Sequence, residues 1–459
     1  MVHASFGRWP GLLLGAASVL GLLVGCDKTK ATADAPTAPG SSRPESTATP
    51  PPVESSKAPV PAEPAPPPSE ATVNMPTAEK TKAIAAGSNA FAFDLWARTR
   101  KSAKDNFAFS PASISMAFAM TYGGAKGETA AQMKKVFHFP EEPAALMASW
   151  GGLGRALSEP SRPITLRVAN RLFGEKTYGF EQAYLDRTRT AFGAALEPVD
   201  FKNAPDPARQ LINTWVEDQT EKRIKDLLPA GSIKPLTRMV LVNAIYFLGN
   251  WERQFDAKNT QSEPFHTSAA KTKQVPMMHQ TNYFGAAQVG DVKVLELAYK
   301  GDSASFLVVL PEKVDGLAAV EASLSSATLD SWKRAVKGQT VAVSLPRFEL
   351  NPSSPLPLSS ELTALGMPIP FDPGKADFTA MGNPTNPNER LNIDEAFHKA
   401  FVKVDEKGTE AAAATAVIMA ARGGPPPKPF EFKADRPFLF FVLDKASGLV
   451  LFMGRVTEP

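Results

Sequence analysis

At 459 residues, 43% hydrophobic and 21% charged, the chain has ordinary globular composition and enough length for one large core or for two or three domains. Its 50 Lys and Arg against 47 Asp and Glu leave a formal charge of +3 with no basic cluster that would track a phosphate backbone, which sets nucleic acid aside as a partner. A single cysteine, Cys26, excludes intrachain disulfides and a cysteine-built zinc site.

"MVHASFGRWP" places Arg8 ahead of the apolar run "GLLLGAASVLGLLVG", and this pattern predicts a signal peptide over residues 1–25; the run is short for a membrane span. Its end, "LVGC", resembles the lipobox of bacterial lipoproteins, in which the peptide before the cysteine is removed and the thiol is lipidated. The chain's only thiol falls at the one position that pattern requires. The expectation is an exported lipoprotein of the cell envelope, on the periplasmic face or the cell surface, held through Cys26, with two or more acyl chains making the anchor lasting. Residues 26–76 follow as a Pro- and Ala-rich tether ("APVPAEPAPPPSEA"), too poor in apolar residues to pack. At roughly 3.1 Å per residue it would reach on the order of 100 Å.

From 77 to 459 the composition turns globular. A helix is predicted at "AIAAGSNAFAFDLWAR". Another is predicted at "SPASISMAFAMTYGG", with Ser110 as cap, Pro111 in the first turn and Gly123 at the far end. A third is expected through the whole of "ARQLINTWVEDQTEKRIKDLL". Strand patterns follow in "RMVLVNAIYFLG", "SFLVVLP" and "VAVSLPRFEL", and "FLFFVLDKASGLVLFMG" reads as a hairpin around "KASG". The mixture implies one α+β domain dominated by sheet.

Chemistry is harder to find. None of the five histidines is spaced with another His or Glu as a helical zinc pair would be, and no "GxSxG" elbow, phosphate loop or dinucleotide motif occurs. His398 and Ser110 are a conceivable base and nucleophile, but the default for each is structural, a satisfied histidine and a helix cap. No enzyme, cofactor or metal is expected. One stretch stays odd, "GTEAAAATAVIMAARGGPPP" from Gly408 to Pro427: by propensity a short surface helix, which leaves its arginine and prolines unexplained.

Several segments together resemble the serpins. "NFAFSPASISMAFAMTYGGAKGETAAQM", "LVNAIYFLGNWERQF", "VPMMHQ", "LELAYKG", "EAFHKAFVKVDEKGTEAAAAT" and "DRPFLFFVLDKASGLVLFMGRVTEP" occur in the family's order across the whole of 77–459. Departures are modest: Lys222 stands where the family usually has glycine, and "NPSSPLPLSS" is unusually proline-rich. The resemblance implies the serpin fold, helices plus three β-sheets with an exposed reactive-centre loop. It also implies a protease inhibitor that presents bait, is attacked as a substrate, and inserts the cut loop into its largest sheet. A monomer is expected.

An inserting strand alternates faces, so its inward residues must be small or apolar. One face reads Thr409, Ala411, Ala413, Thr415; the other reads Glu410, Ala412, Ala414, with the single charge on the solvent side. Gly408 supplies a flexible hinge. Family spacing from Glu406 implies Arg422 as the bait, cut before Gly423 by a trypsin-like serine protease. Lys428 and Arg436 each precede a proline, which hinders such cleavage, while Ala420 and Ala421 stay open as secondary bait. By resemblance, Ser110, Ser113, Asn243 and His398 form a buried polar cluster where the sheet opens, and Trp251 lies near the top of that sheet. Arg347 pairs with Glu406, and an exposed pair there is worth about 1 kcal/mol or less. A second function, from another class, is a non-inhibitory serpin acting as a binding or carrier module, which bulky or charged inward hinge residues would favour.

Overall fold

A computed structural model describes residues 75–102, 105–193, 196–409 and 428–459, with the backbone alone at 168–170. The predicted leader, Cys26, almost all of the tether, and the loop residues Glu410, Ala411, Ala412, Ala413, Ala414, Thr415, Arg422 and Gly423 lie outside the described residues.

The helix Pro111–Tyr122 is built as its caps predict: the Ser110 side chain accepts from the Ser113 N–H, and Pro111 opens the first turn. All twelve of its residues are buried, so it runs through the core. Gly123 ends it in a right-handed conformation, φ −56°, and is there for space: a Cβ would stand 2.6 Å from Met147 Sδ. The predicted hairpin forms from Phe438–Asp444 and Val450–Val456, every residue buried. It lies within a nine-stranded sheet ordered Phe107–Phe109, Val450–Val456, Phe438–Asp444, Ala304–Pro311, Val292–Ala298, Lys271–Val289, Lys337–Pro346 and Phe430–Lys433, with Gln261–Ser268 added beside Lys271–Val289.

Two expected elements are corrected. "VAVSLPRFEL" is not one strand: Lys337–Pro346 stays in the nine-stranded sheet, while Phe348–Leu350 pairs with Val402–Val404 elsewhere. The alternation runs on through the break, and the chain changes sheets at Arg347. The third helix ends at Gln219; the Thr220 hydroxyl bonds back to Val216 O and then accepts the Ile224 N–H, and Glu221 and Lys222 take positive φ of 50° and 62°. Residues 220–238 become a linker of turns and bends, and Ile224, Leu227 and Leu228 turn onto a sheet.

That sheet is parted. On one side the central strand Met239–Asn250 pairs antiparallel with Thr165–Glu175, which in turn pairs with Glu197–Val199. On the far side, Phe397–His398 and Val402–Val404 pair with Leu356–Pro357 and Phe348–Leu350. The two sides meet through one parallel bridge, Ile245 to Ala400. Alternation along the central strand assigns its faces: Ile245 and Phe247 enter the main core, whereas Val242 and Ala244 pack under the helix Pro205–Gln219 and the linker, together with Phe401 from the far side. The linker therefore roofs the seam.

Candidate functional site

The seam has a polar anchorage at its head and another in its middle. At the head, Gly408 and Thr409 pair antiparallel with Asn250 and Gly249 of the central strand. The hinge has thus taken the first two places of a strand inside the sheet. A Cβ on Gly408 would stand 2.0 Å from Gly249 O, so this glycine permits close approach of two backbones and is needed for room more than for freedom. Thr409 is 3% exposed and shares a 2.7 Å hydrogen bond with the Tyr299 hydroxyl.

The preceding turn is fastened by Trp251. Its backbone N–H donates to Lys407 O at 2.8 Å, its indole Nε1 to Asp405 O at 2.9 Å, and its ring stacks on Tyr299 at 4.7 Å and 19°. Glu406 takes Arg347 Nε at 2.5 Å and the Thr260 hydroxyl, and its own carbonyl accepts from Phe255 N–H. The pair with Arg347 is exposed on one side only: the Arg347 side chain is 42% accessible and the Glu406 side chain 8%, because the turn packs the carboxylate against the strand Lys337–Pro346 where Arg347 leaves it. Burial pushes the Glu406 pKa up, and the hydrogen bonds from Arg347 and Thr260 outweigh it, holding the carboxyl below the usual range. Burial also raises the Tyr299 phenol, so it stays protonated.

In the middle of the seam the structure brings Ser110, Ser113, Asn243 and His398 together. Ser113 Oγ bonds Asn243 Oδ1, the Ser110 N–H donates to His398 Nε2 at 3.0 Å, and Ser110 Oγ donates to Leu451 O at 2.5 Å. The hydroxyl of Ser110 is committed to a carbonyl and the imidazole accepts from a peptide N–H, so the two do not form a nucleophile and base. Burial lowers the His398 pKa to about 3. The ring is neutral, with its proton on Nδ1, a buried atom with no hydrogen-bond partner. Asn243 belongs to the central strand and His398 to the far side, so the helix Pro111–Tyr122 and its cap touch both banks of the seam from beneath. Below them a cavity of about 40 Å³ lies between Ile114, Phe118, Leu241 and Phe397.

Tyr299 and Thr260 were not singled out from sequence. Tyr299 carries a signal, a hydroxyl at the end of the aliphatic run "VKVLELAY"; Thr260 carries none. Of the other basic residues near the loop, Lys428 is exposed, and Arg436 is bound to Asp435 at 2.8 Å and to Glu312 O.

A family model described as Serpin (serine protease inhibitor) matches residues 86–459. The chain is 40% identical over 385 residues to leukocyte elastase inhibitor A of Rattus norvegicus, covering 82% of this chain and 99% of that one. It is 39% identical over 388 residues to serpin B4 of Homo sapiens, covering 80% and 97%. Among solved structures it is similar to uncleaved ovalbumin, with a TM-score of 0.73 and 32% identity over 82% of this chain and 100% of that one. Human thyroxine-binding globulin in complex with thyroxine gives a TM-score of 0.74 and 30% identity over 83% and 99%. A parted sheet whose upper end already holds two residues of the following loop, and a match over residues 86–459, have one meaning: the chain belongs to the serpin family, described as serine protease inhibitors.

Proposed function

We propose that the chain inhibits a trypsin-like serine protease by offering its loop as a substrate, cut between Arg422 and Gly423, and that it acts from the cell envelope, held through lipid on Cys26. The observation that carries the first part is the seat of Thr409, paired to the central strand above a seam closed by a single bridge. A strand begun there extends downward once its other end is free, each new pair adding ladder hydrogen bonds. The protease serine attacks the Arg422 carbonyl, an acyl-enzyme ester forms, and the Gly423 amine departs as the leaving group. Insertion then carries the ester away before water hydrolyses it. The alternation from Thr409 to Thr415 keeps charge off the inward face. Arginine at the bait fits a specificity pocket with an acidic floor, and Arg436 is already engaged.

Mixing the protein with trypsin and separating the products under denaturing conditions tests this reading. A band heavier by the mass of the protease is expected, and Arg422→Ala should abolish it. Clean cleavage without that band would place the chain with carriers and binding modules, the class to which a thyroxine complex points for the similar globulin. The envelope anchor rests on residues 1–26, outside the family match. Expression in a bacterial host with radiolabelled palmitate should label the wild type and leave Cys26→Ser unlabelled; label in both, or in neither, overturns the anchor.

A further inference from the structure

The linker over the seam forms one wall of a second feature, a solvent-open cleft that the insertion mechanism does not use. A cavity of about 260 Å³ is lined by Lys222, Arg223, Lys225 and Lys399, against the carboxylates of Asp226 and Glu349, with Asn351 and Ser353 at its rim. That is room for on the order of eight waters, or for a tetrahedral anion with part of its hydration. Four cations face two carboxylates.

Three further observations single the cavity out. Lys399 is 6% exposed, and its ammonium, which has three donors, makes one hydrogen bond, 2.9 Å to Lys225 O. Burial lowers its pKa, with Asp226 opposing; a nearby anion would raise it. Glu221, Lys222 and Asp226 all have φ between 50° and 62°, which for non-glycine residues costs about 1 kcal/mol apiece. Nothing in the packing requires Lys222, which is exposed, to occupy a position that glycine would fill without strain. Lastly, the cavity lies between the linker and the far side of the seam. Lys222, Arg223 and Lys225 belong to the linker, whereas Lys399 and Phe401 belong to the far side, and the Arg223 guanidinium lies 5.5 Å over the Phe401 ring.

We infer that this cavity is a binding site for an oxyanion of the phosphate or sulfate class, held by Lys222, Lys225 and Lys399 with Arg223 at its wall, and that the bound anion ties the linker to the far strands and slows parting of the seam. Charge-assisted bonds to one anion from the linker, which runs on into the central strand, and from the far strands give a cross-link that must break before the linker can lift and the sheet open. The second half of the inference rests on the loop-insertion reading; the first does not.

The test uses the whole protein at constant ionic strength, since exposed charge alone is screened by salt. Equilibrium dialysis with radiolabelled inorganic phosphate, and separately with a short sulfated oligosaccharide, should show saturable binding of one of them at one site per chain. The double variant Lys222→Gln/Lys225→Gln, altered at two exposed positions, should bind at least tenfold more weakly. Binding of phosphate itself assigns the site to a free anion; binding of the oligosaccharide alone assigns it to a polymer-borne sulfate group. Equal binding by wild type and variant, or no saturable binding of either probe, overturns the site. For the clamp, the bound probe should slow amide hydrogen exchange across 222–228 and 399–404 several-fold, and should slow formation of the protease complex by a similar factor in wild type only. Unchanged exchange overturns the clamp, and exchange decides it even if no protease complex forms, so that the inhibition reading and this one fail separately.

Discussion

The nine-stranded sheet and the parted sheet are made from similar strands and behave oppositely. In the first, Ala304–Pro311 is in register with Val292–Ala298 over seven residue pairs and with Phe438–Asp444 over six, all eight of its residues are buried, and Phe306 and Phe440 stack ring against ring. In the second, the central strand is as apolar as its counterparts, yet the far strands pair with it at one bridge. What holds the two banks is a few points: the backbone pairing of Gly408 and Thr409 with the central strand at the head, a neutral hydrogen-bonded cluster in the middle, and a roof of linker residues outside. Continuous ladders give a sheet with no cheap way to open. Point attachments give one whose opening is a matter of a few bonds.

The contrast breaks most visibly where packing is densest. Phe440→Ala empties a wholly buried ring site in the nine-stranded sheet and should lower stability by about 4 kcal/mol. Global unfolding in urea should move while exchange at Gly408 and Thr409, measured below the transition, does not. If the hinge amides exchange faster as well, the two sheets are not separable units.

Protonation of His398 comes next. The ring has a pKa of about 3 in the fold, against 6.5 in an exposed ring, so between those values the unfolded chain holds the extra proton. Stability therefore falls as pH drops below 6.5, by about 3 kcal/mol at pH 4 at 1.36 kcal/mol per unit. Urea midpoints from pH 7 to pH 4 should fall more steeply for wild type than for His398→Gln, and parallel slopes would remove the histidine from the cause. Glu406 adds to the loss at the acid end: its carboxyl is held below the usual range, so what it contributes is present above about 4.5 and disappears as pH falls through its own lowered value.

Arg347→Ala is expected to cost about 2 kcal/mol, because it leaves a buried carboxylate with Thr260 as its remaining side-chain partner. The loss should fall on the hinge. Trp251 reports it, since its indole N–H is bonded to Asp405 O in the same turn, and its fluorescence should shift toward that of a solvated indole. An unshifted spectrum with an unchanged rate of loop insertion would mean that the ion pair does not restrain the hinge.

Much of this was legible in the residues, for reasons that can be named. The helix behind the seam announces its cap and its first-turn proline, and the last hairpin shows two apolar runs around a turn, where Gly448 takes φ 75°. The faces of the central strand follow from period two alone. The strand break at Arg347 was illegible because alternation continues through it, so that only the partner sheet changes. The end of the third helix was illegible because the turn uses Glu221 and Lys222 at positive φ instead of a glycine. The seam is the deepest omission: nothing local in "LVNAIYFLGN" or "FHKAFVKV" states that two apolar strands will stop short of pairing, since that depends on what the hinge and the cap residues contribute from elsewhere in the chain. The burial of Glu406 was missed for the same reason.

The smallest expected effect isolates the head of the seam. Tyr299→Phe keeps the ring against Trp251 and Phe247 and removes one hydroxyl, leaving Thr409 Oγ1 buried without its partner. A buried hydroxyl so orphaned costs about 1 kcal/mol, which corresponds to roughly fivefold faster exchange at the Thr409 amide and a barely altered midpoint in urea. Thr409→Val alone should give a similar rate, and the double variant should lie closer to wild type than the sum of the two, because both polar atoms are then gone. Additive behaviour would show that the two hydroxyls do not act together, and the hold on the hinge would pass to Gly408, whose missing Cβ lets the backbone reach Gly249 at all.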